Sequence, residues 1–162
     1  HDQIQGQEGI KTLRQEVKMK ILVPIDGSKY AMEAVKMVSN LAKATGAQVA
    51  LMTVTPSIAD VDVEYTARER DSLERKLTAY GEKALGDAEK VLLEMGVTPK
   101  TSVVSSNSVA DAIITTAKKG RFDLIAIGSR GLGATARFVL GGVGSRVVNH
   151  APCSVLVVRI EK

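Results

Sequence analysis

Six glycines fall within seventeen positions of this 162-residue chain: Gly128, Gly131, Gly133, Gly141, Gly142 and Gly144. Each costs backbone entropy on folding, so that density needs a reason. Glycine admits positive φ and lets a ligand approach the main chain closely. Exposed N–H groups leading into a helix N-terminus form a cradle for phosphate. The local charge has the matching sign. Leu124 to Ile160, thirty-seven residues, contain no Asp or Glu, yet include Arg130, Arg137, Arg146 and Arg159. The planar fork of arginine suits phosphate oxygens. A plainer account is that packed strands and a packed helix leave little room for acids; the glycine density favours the anion site. A second candidate is Asp26, in Asp26-Gly27-Ser28 after an apolar run. It reads either as a hydrogen-bonding partner for a ligand or as a turn residue before a helix cap.

These residues must be carried by an alternation of strands and helices. Lys20–Ile25 is a nearly continuous apolar run, the pattern of a strand buried on both faces, and Pro24 must finish it because proline cannot donate to a ladder. Ser28 is a good N-cap for a helix with Ala31, Ala34, Val35, Val38, Leu41 and Ala42 on one face, stopping at Gly46. Ala47–Val54 is a second strand. A charged amphipathic stretch from about Val63 to Met95 follows, with Gly81 and Gly86 arguing against one unbroken helix. Thr101–Ser105 is a third strand. Asn107 and Ser108 open a helix with Val109, Ala112, Ile113 and Ala117 inward, ending at Gly120. Phe122–Gly128 is the fourth strand, Val143–His150 a short helix, and Ser154–Val158 the fifth strand. The alternation implies right-handed βαβ units: an α/β fold, with a five-stranded parallel sheet and helices on both faces as a three-layer αβα sandwich. Such sheets bind ligands outside the carboxyl ends of the strands where strand order reverses. The reversal is expected between strands one and four, where the loops Pro24–Ser28 and Gly128–Gly144 emerge.

Composition narrows the classes. Hydrophobic residues make up 44% and charged residues 25%, a globular balance, but aromatics are only 3%, so aliphatic residues must build the core. Residues 1–18 are polar and aperiodic and read as an extension, tag or linker; residues 19–162 read as one domain. Cys153 is the sole cysteine, which excludes an internal disulfide and fits a reducing compartment. It reads as an inert thiol. No apolar run approaches the ~20 residues needed to span a bilayer. The expected location is cytoplasmic. His150, at a helix end, is explained by capping and dipole effects. No metal-ligand spacing occurs, so any Mg²⁺ would arrive with phosphates. Gly131 to Ala136 spells G-x-G-x-x-A, but a dinucleotide fingerprint belongs after the first strand, not the fourth. No P-loop is present. The charged stretch around Glu64–Lys90 reads as a solvated helix face, and nucleic-acid binding lacks an aromatic platform.

Gly128, Gly131 and Gly141 give the spacing G-2x-G-9x-G. With KILVPIDGS near the front, DLIAIGSRG before the loop and NHAPCSVLVV near the end, the chain resembles the universal stress proteins from about Met19 to Arg159. The resemblance implies their fold, which is similar to that of the adenine nucleotide alpha hydrolases, and a binding site for ATP or another adenine nucleotide. It sets Pro24, Asp26 and Val54 beside the adenine, and Ile127 and Gly128 on the base and ribose side. Gly131, Gly141, Gly142, Val143 and Gly144 would cradle ribose and phosphate, with Arg130 in support. One departure stands out. ATP-binding members carry Ser or Thr directly after the third glycine and another hydroxyl two residues on; here those positions are Gly142 and Gly144. Each lost hydrogen bond to a charged group is worth about 1.5–3 kcal/mol. Arg130 or Arg137 would have to offset the loss; otherwise the ligand carries fewer phosphates, or the domain works as a nucleotide-free interaction module. With no catalytic base, nucleophile or metal triad recognised, the expectation is a regulatory binder and not an enzyme. A homodimer joined through the apolar strand Ser154–Val158 is implied by the resemblance and by an edge that would invite pairing.

Overall fold

The computed structural model describes residues 17–59, 64–131 and 140–160. Strand β1 (Lys20–Pro24) holds Ile21, Leu22 and Val23 at 0–1% exposure, as a continuous apolar run buried on both faces requires. Helix α1 (Lys29–Thr45) begins where the Ser28 Oγ accepts the Ala31 N–H at 3.1 Å. It ends at Gly46, whose φ of 72° suits glycine. Strand β2 (Gln48–Thr55) follows. Helix α2 (Ala67–Glu94) starts in a capping box: the Thr66 Oγ1 accepts the Glu69 N–H, and the Glu69 carboxylate accepts the Thr66 N–H. That pair holds the Glu69 carboxyl below its ordinary pKa. Strand β3 (Lys100–Ser105), helix α3 (Val109–Lys119), strand β4 (Leu124–Gly128), helix α4 (Gly142–His150) and strand β5 (Ser154–Val158) complete the alternation.

Three expectations are corrected. Helix α2 runs unbroken for 28 residues through Gly81 and Gly86. A Cβ on Gly81 would lie 3.0 Å from Thr53 Cγ2 and 3.3 Å from Thr55 Cγ2, so glycine here lets the helix lie against β2. Val109, expected inward, is 41% exposed; it is the first helical residue, at the carboxyl edge beyond the strands, and Ala110 is buried in its place. Phe122 precedes β4 instead of opening it. Its N–H donates to the Ala117 carbonyl, which keeps it in the turn leaving α3, and its ring receives the Lys20 ammonium 4.8 Å from the centroid.

Among the described residues all four strand pairings are parallel, in the order β3-β2-β1-β4-β5. Order reverses between β1 and β4, where expected. One face of the sheet packs against α1 and α2 through Val35, Val38, Ala84, Leu85 and Leu92. The other packs against α3 and α4 through Ile113, Ala117 and Val147, meeting Leu22, Met52 and Ile125. Together the layers form the three-layer α/β sandwich. No described helix is long and apolar enough to cross a membrane.

Candidate functional site

The crevice begins in the β1–β4 ladder. Its register pairs Ile21 with Leu124 and Leu22 with Ile125 and goes no further, whereas β1 pairs with β2 as far as Pro24 and Met52. The two central strands thus stop pairing before their carboxyl ends, at the reversal of strand order. Open α/β sheets present their ligand crevice at this kind of point.

On the β1 side, the Ile25 N–H donates to the Met52 carbonyl at 2.7 Å, and Thr53 Oγ1 donates to the Ile25 carbonyl at 2.7 Å. These bonds hold the chain beyond Pro24 against β2, with Val54 partly buried on the α3 face. Asp26 Oδ1 then accepts the Ser28 N–H at 2.9 Å across Gly27, whose φ is +80°. The turn role of Asp26 is therefore real, and it engages one oxygen. The other, Oδ2, faces the second loop: a Cβ on Gly131 would lie 2.8 Å from it.

On the β4 side, Ile127 is buried and Gly128 ends the strand against α1. A Cβ on Gly128 would fall 2.5 Å from the Tyr30 carbonyl carbon and 2.7 Å from its oxygen. The Ser129 N–H donates to the Val158 carbonyl at 2.9 Å, and the Gly141 N–H donates to the Ser129 carbonyl at 3.4 Å. The loop therefore leaves and returns at the same place. Residues 132–139, including Gly133 and Arg137, lie outside the described residues, as does most of the G-x-G-x-x-A string. Arg130 is partly buried beside Gly131.

Helix α4 starts from Gly141, with φ −59° and ψ 162°, and among the described residues no side chain caps it. The first bond closing the helix runs from the Ser145 N–H to the Gly141 carbonyl at 2.8 Å. The N–H groups of Gly142, Val143 and Gly144 precede it and have no intrahelical acceptor, as in the first turn of any helix. Val143 is 44% exposed, and among the described residues nothing lies within 4 Å of a Cβ on Gly142. Gly144 packs inward, its Cβ position 2.8 Å from Leu140 Cδ1 and 3.5 Å from Ile127 Cδ1. Positive φ occurs at none of the described loop glycines; close approach, not left-handed backbone, accounts for Gly128 and Gly131.

The family model of the universal stress proteins matches residues 19–159. Universal stress protein MJ0531 of Methanocaldococcus jannaschii is 33% identical over 143 residues, spanning 88% of this chain and 83% of that one. The chain belongs to the universal stress protein family. Among solved structures, the hypothetical protein MJ0577 superposes with a TM-score of 0.76 at 27% identity, over 88% of this chain and 96% of that one. A universal stress protein of Arabidopsis thaliana solved with AMP bound shares the fold, with a TM-score of 0.65 at 20% identity over 88% of this chain and 92% of that one.

Within this family member the sequence pointed to a positive field around the loop, and the fold qualifies it. Arg146 is engaged: its Nε and Nη2 donate to Asp111 Oδ1 of α3 at 3.0 and 2.9 Å. These bonds, with help from Ser108, hold the Asp111 carboxyl below its ordinary pKa. No spacing rule joins positions thirty-five apart, so sequence alone gave no sign of the pair. Tyr80 was also missed. Its hydroxyl lies 2.7 Å from where a Gly27 Cβ would be, so α2 reaches the β1 turn. Cys153 is only partly buried, and burial, with Asp123 nearby, pushes its thiol pKa up, which keeps it protonated and a poor nucleophile. Among the described residues no three His, Cys, Asp or Glu side chains gather as metal ligands. A shallow groove of about 480 Å³ lined by Asp71, Glu74, Arg75, Thr78, Ala79 and Glu82 belongs to α2 alone. It is a solvated charged helix face, lacking the convergence of elements that a ligand site needs.

Proposed function

We propose that this chain is a regulatory protein that binds an adenine nucleotide at the carboxyl edge of β1 and β4. The observation that carries the reading is the meeting of three elements there: the Asp26 turn, Gly131 against the Asp26 carboxylate, and the uncapped first turn of α4. An uncapped helix N-terminus with flanking glycine suits a phosphate. Support comes from relatives of this fold solved with AMP, with cAMP and with dAMP. In this reading Pro24, Asp26 and Val54 flank the base, and Ile127, Gly128 and Gly131 the ribose. Gly141, Gly142, Val143 and Gly144, with Arg130, face the phosphate, and Mg²⁺ enters only with the phosphates of ATP. The protein acts by binding and not by turnover, and nucleotide occupancy changes the surface that the loop offers to partners.

The same reading includes a homodimer through β5. That strand is a sheet edge, and Val155, Leu156 and Val157 are incompletely covered. Light scattering at micromolar concentration should give twice the chain mass.

Denaturing the purified protein and chromatographing the supernatant should release an adenine nucleotide, and calorimetry with AMP, ADP, ATP and cyclic AMP should show heat for at least one. One observation favours a second reading, a nucleotide-free interaction module: Gly142 and Gly144 offer no hydroxyls where the family's ATP binders have them. Flat traces for all four nucleotides would decide for it.

A further inference from the structure

We propose that Arg146 is a cation that meets the nucleotide phosphate in this chain beside Arg130, exchanging Asp111 for the ligand. This rests on the adenine-nucleotide reading above. Arg146 lies four residues after Gly142 and three after Val143 in α4, so it stands on the helix surface directly behind them. Helical side chains lean toward the N-terminus. The guanidinium, now on Asp111, can therefore swing toward the first-turn N–H groups, and no described atom lies within 4 Å of a Cβ on Gly142 to block that path. Gly142 and Gly144 bring no side-chain donor, and the Ser145 hydroxyl donates to the Leu140 carbonyl at 3.3 Å, so Arg146 is the cationic side chain of this first stretch of α4 that can join its N-terminal amides.

Its present partner is one it can leave. Arg146 and Asp111 are about half exposed, at 55% and 53%, and both guanidinium bonds fall on a single carboxylate oxygen. Ion pairs this exposed contribute little. A phosphate offers more charge and accepts two parallel N–H bonds from the fork. Asp111 is not stranded by the exchange. It is the third residue of α3, where the helix dipole favours a carboxylate, and it remains in water beside Ser108. No buried charge is left unpaired in either arrangement.

Calorimetry with AMP, ATP and adenosine tests this. Arg146→Gln should weaken AMP about tenfold or more, the scale of a hydrogen bond to a charged group, and leave adenosine unchanged. Asp111→Asn should tighten AMP several-fold by freeing Arg146, and that gain should vanish in the Arg146→Gln background. Arg146→Lys should retain part of the affinity and carries the test if Arg146→Gln fails to fold. Unchanged AMP affinity in Arg146→Gln, or an Asp111→Asn gain that survives without Arg146, overturns the proposal while the nucleotide reading stands. If the parent chain binds none of AMP, ADP, ATP and cyclic AMP, that reading falls and the proposal falls with it.

Discussion

The glycine loop has two ends, and they use the same residue for opposite reasons. At the β4 end, Gly128 and Gly131 are glycines because something already occupies the space of a side chain: the Tyr30 backbone in one case, the Asp26 carboxylate in the other. At the α4 end, apart from Gly144, which packs on Leu140, Gly141 and Gly142 have no described atom within 4 Å of a Cβ, and Gly141 has an ordinary φ of −59°. The first pair is set by packing, the second by what is left open. A spacing motif read from the sequence merges these two roles; only the neighbours separate them.

The contrast can be broken most forcefully at Gly128. Gly128→Ala drives a methyl into the Tyr30 carbonyl, backbone that cannot move aside cheaply. Overpacking of this kind costs about 1–3 kcal/mol. Thermal unfolding should fall by several degrees, roughly 2–4 °C per kcal/mol for a chain of this size. Gly141→Ala should leave the transition nearly unmoved. Equal losses at the two positions would dissolve the distinction.

Gly142→Ser sharpens the comparison from the other end. A hydroxyl added in open space at the first turn should tighten ATP about tenfold, the lower end of a charge-assisted hydrogen bond, without loss of thermal stability. Unchanged affinity would show that the missing hydroxyl is irrelevant. Gly131→Ala sits between the extremes. Its methyl meets Asp26 Oδ2, the far end of a side chain that can swing, so stability should change by under about 1 kcal/mol. Nucleotide affinity should drop a few-fold by calorimetry, because the displaced carboxylate no longer faces the crevice.

The smallest effect concerns pH. The Asp111 carboxyl is held below its ordinary pKa chiefly by the Arg146 hydrogen bonds. A depressed carboxylate adds stability above its unfolded pKa and loses it as pH falls through the folded value. An NMR titration should place the Asp111 midpoint below that of the unfolded chain, and Arg146→Gln should raise it. A midpoint indifferent to Arg146 would show that the pair is a surface contact without energetic content.

By itself the sequence determined the elements and their order, because continuous apolar runs and 3.6-residue stripes are local statements. Lys20–Pro24, the Ser28 cap and the Gly46 stop were all legible that way, and strand alternation then left few topologies open. Where a glycine answers to a distant neighbour, local pattern misled: Gly81 suggested a break in α2, yet it sits where the helix closely approaches β2. Charge was likewise readable as composition and not as field. Leu124 to Ile160 holds no acid, but the fold carries Asp111 across from α3 to Arg146. Tyr80 reached Gly27 by the same kind of long-range placement. The tertiary structure decided these matters because sterics and Coulomb interactions act over a few ångströms in space, and nothing in the linear order records which distant residues come that close.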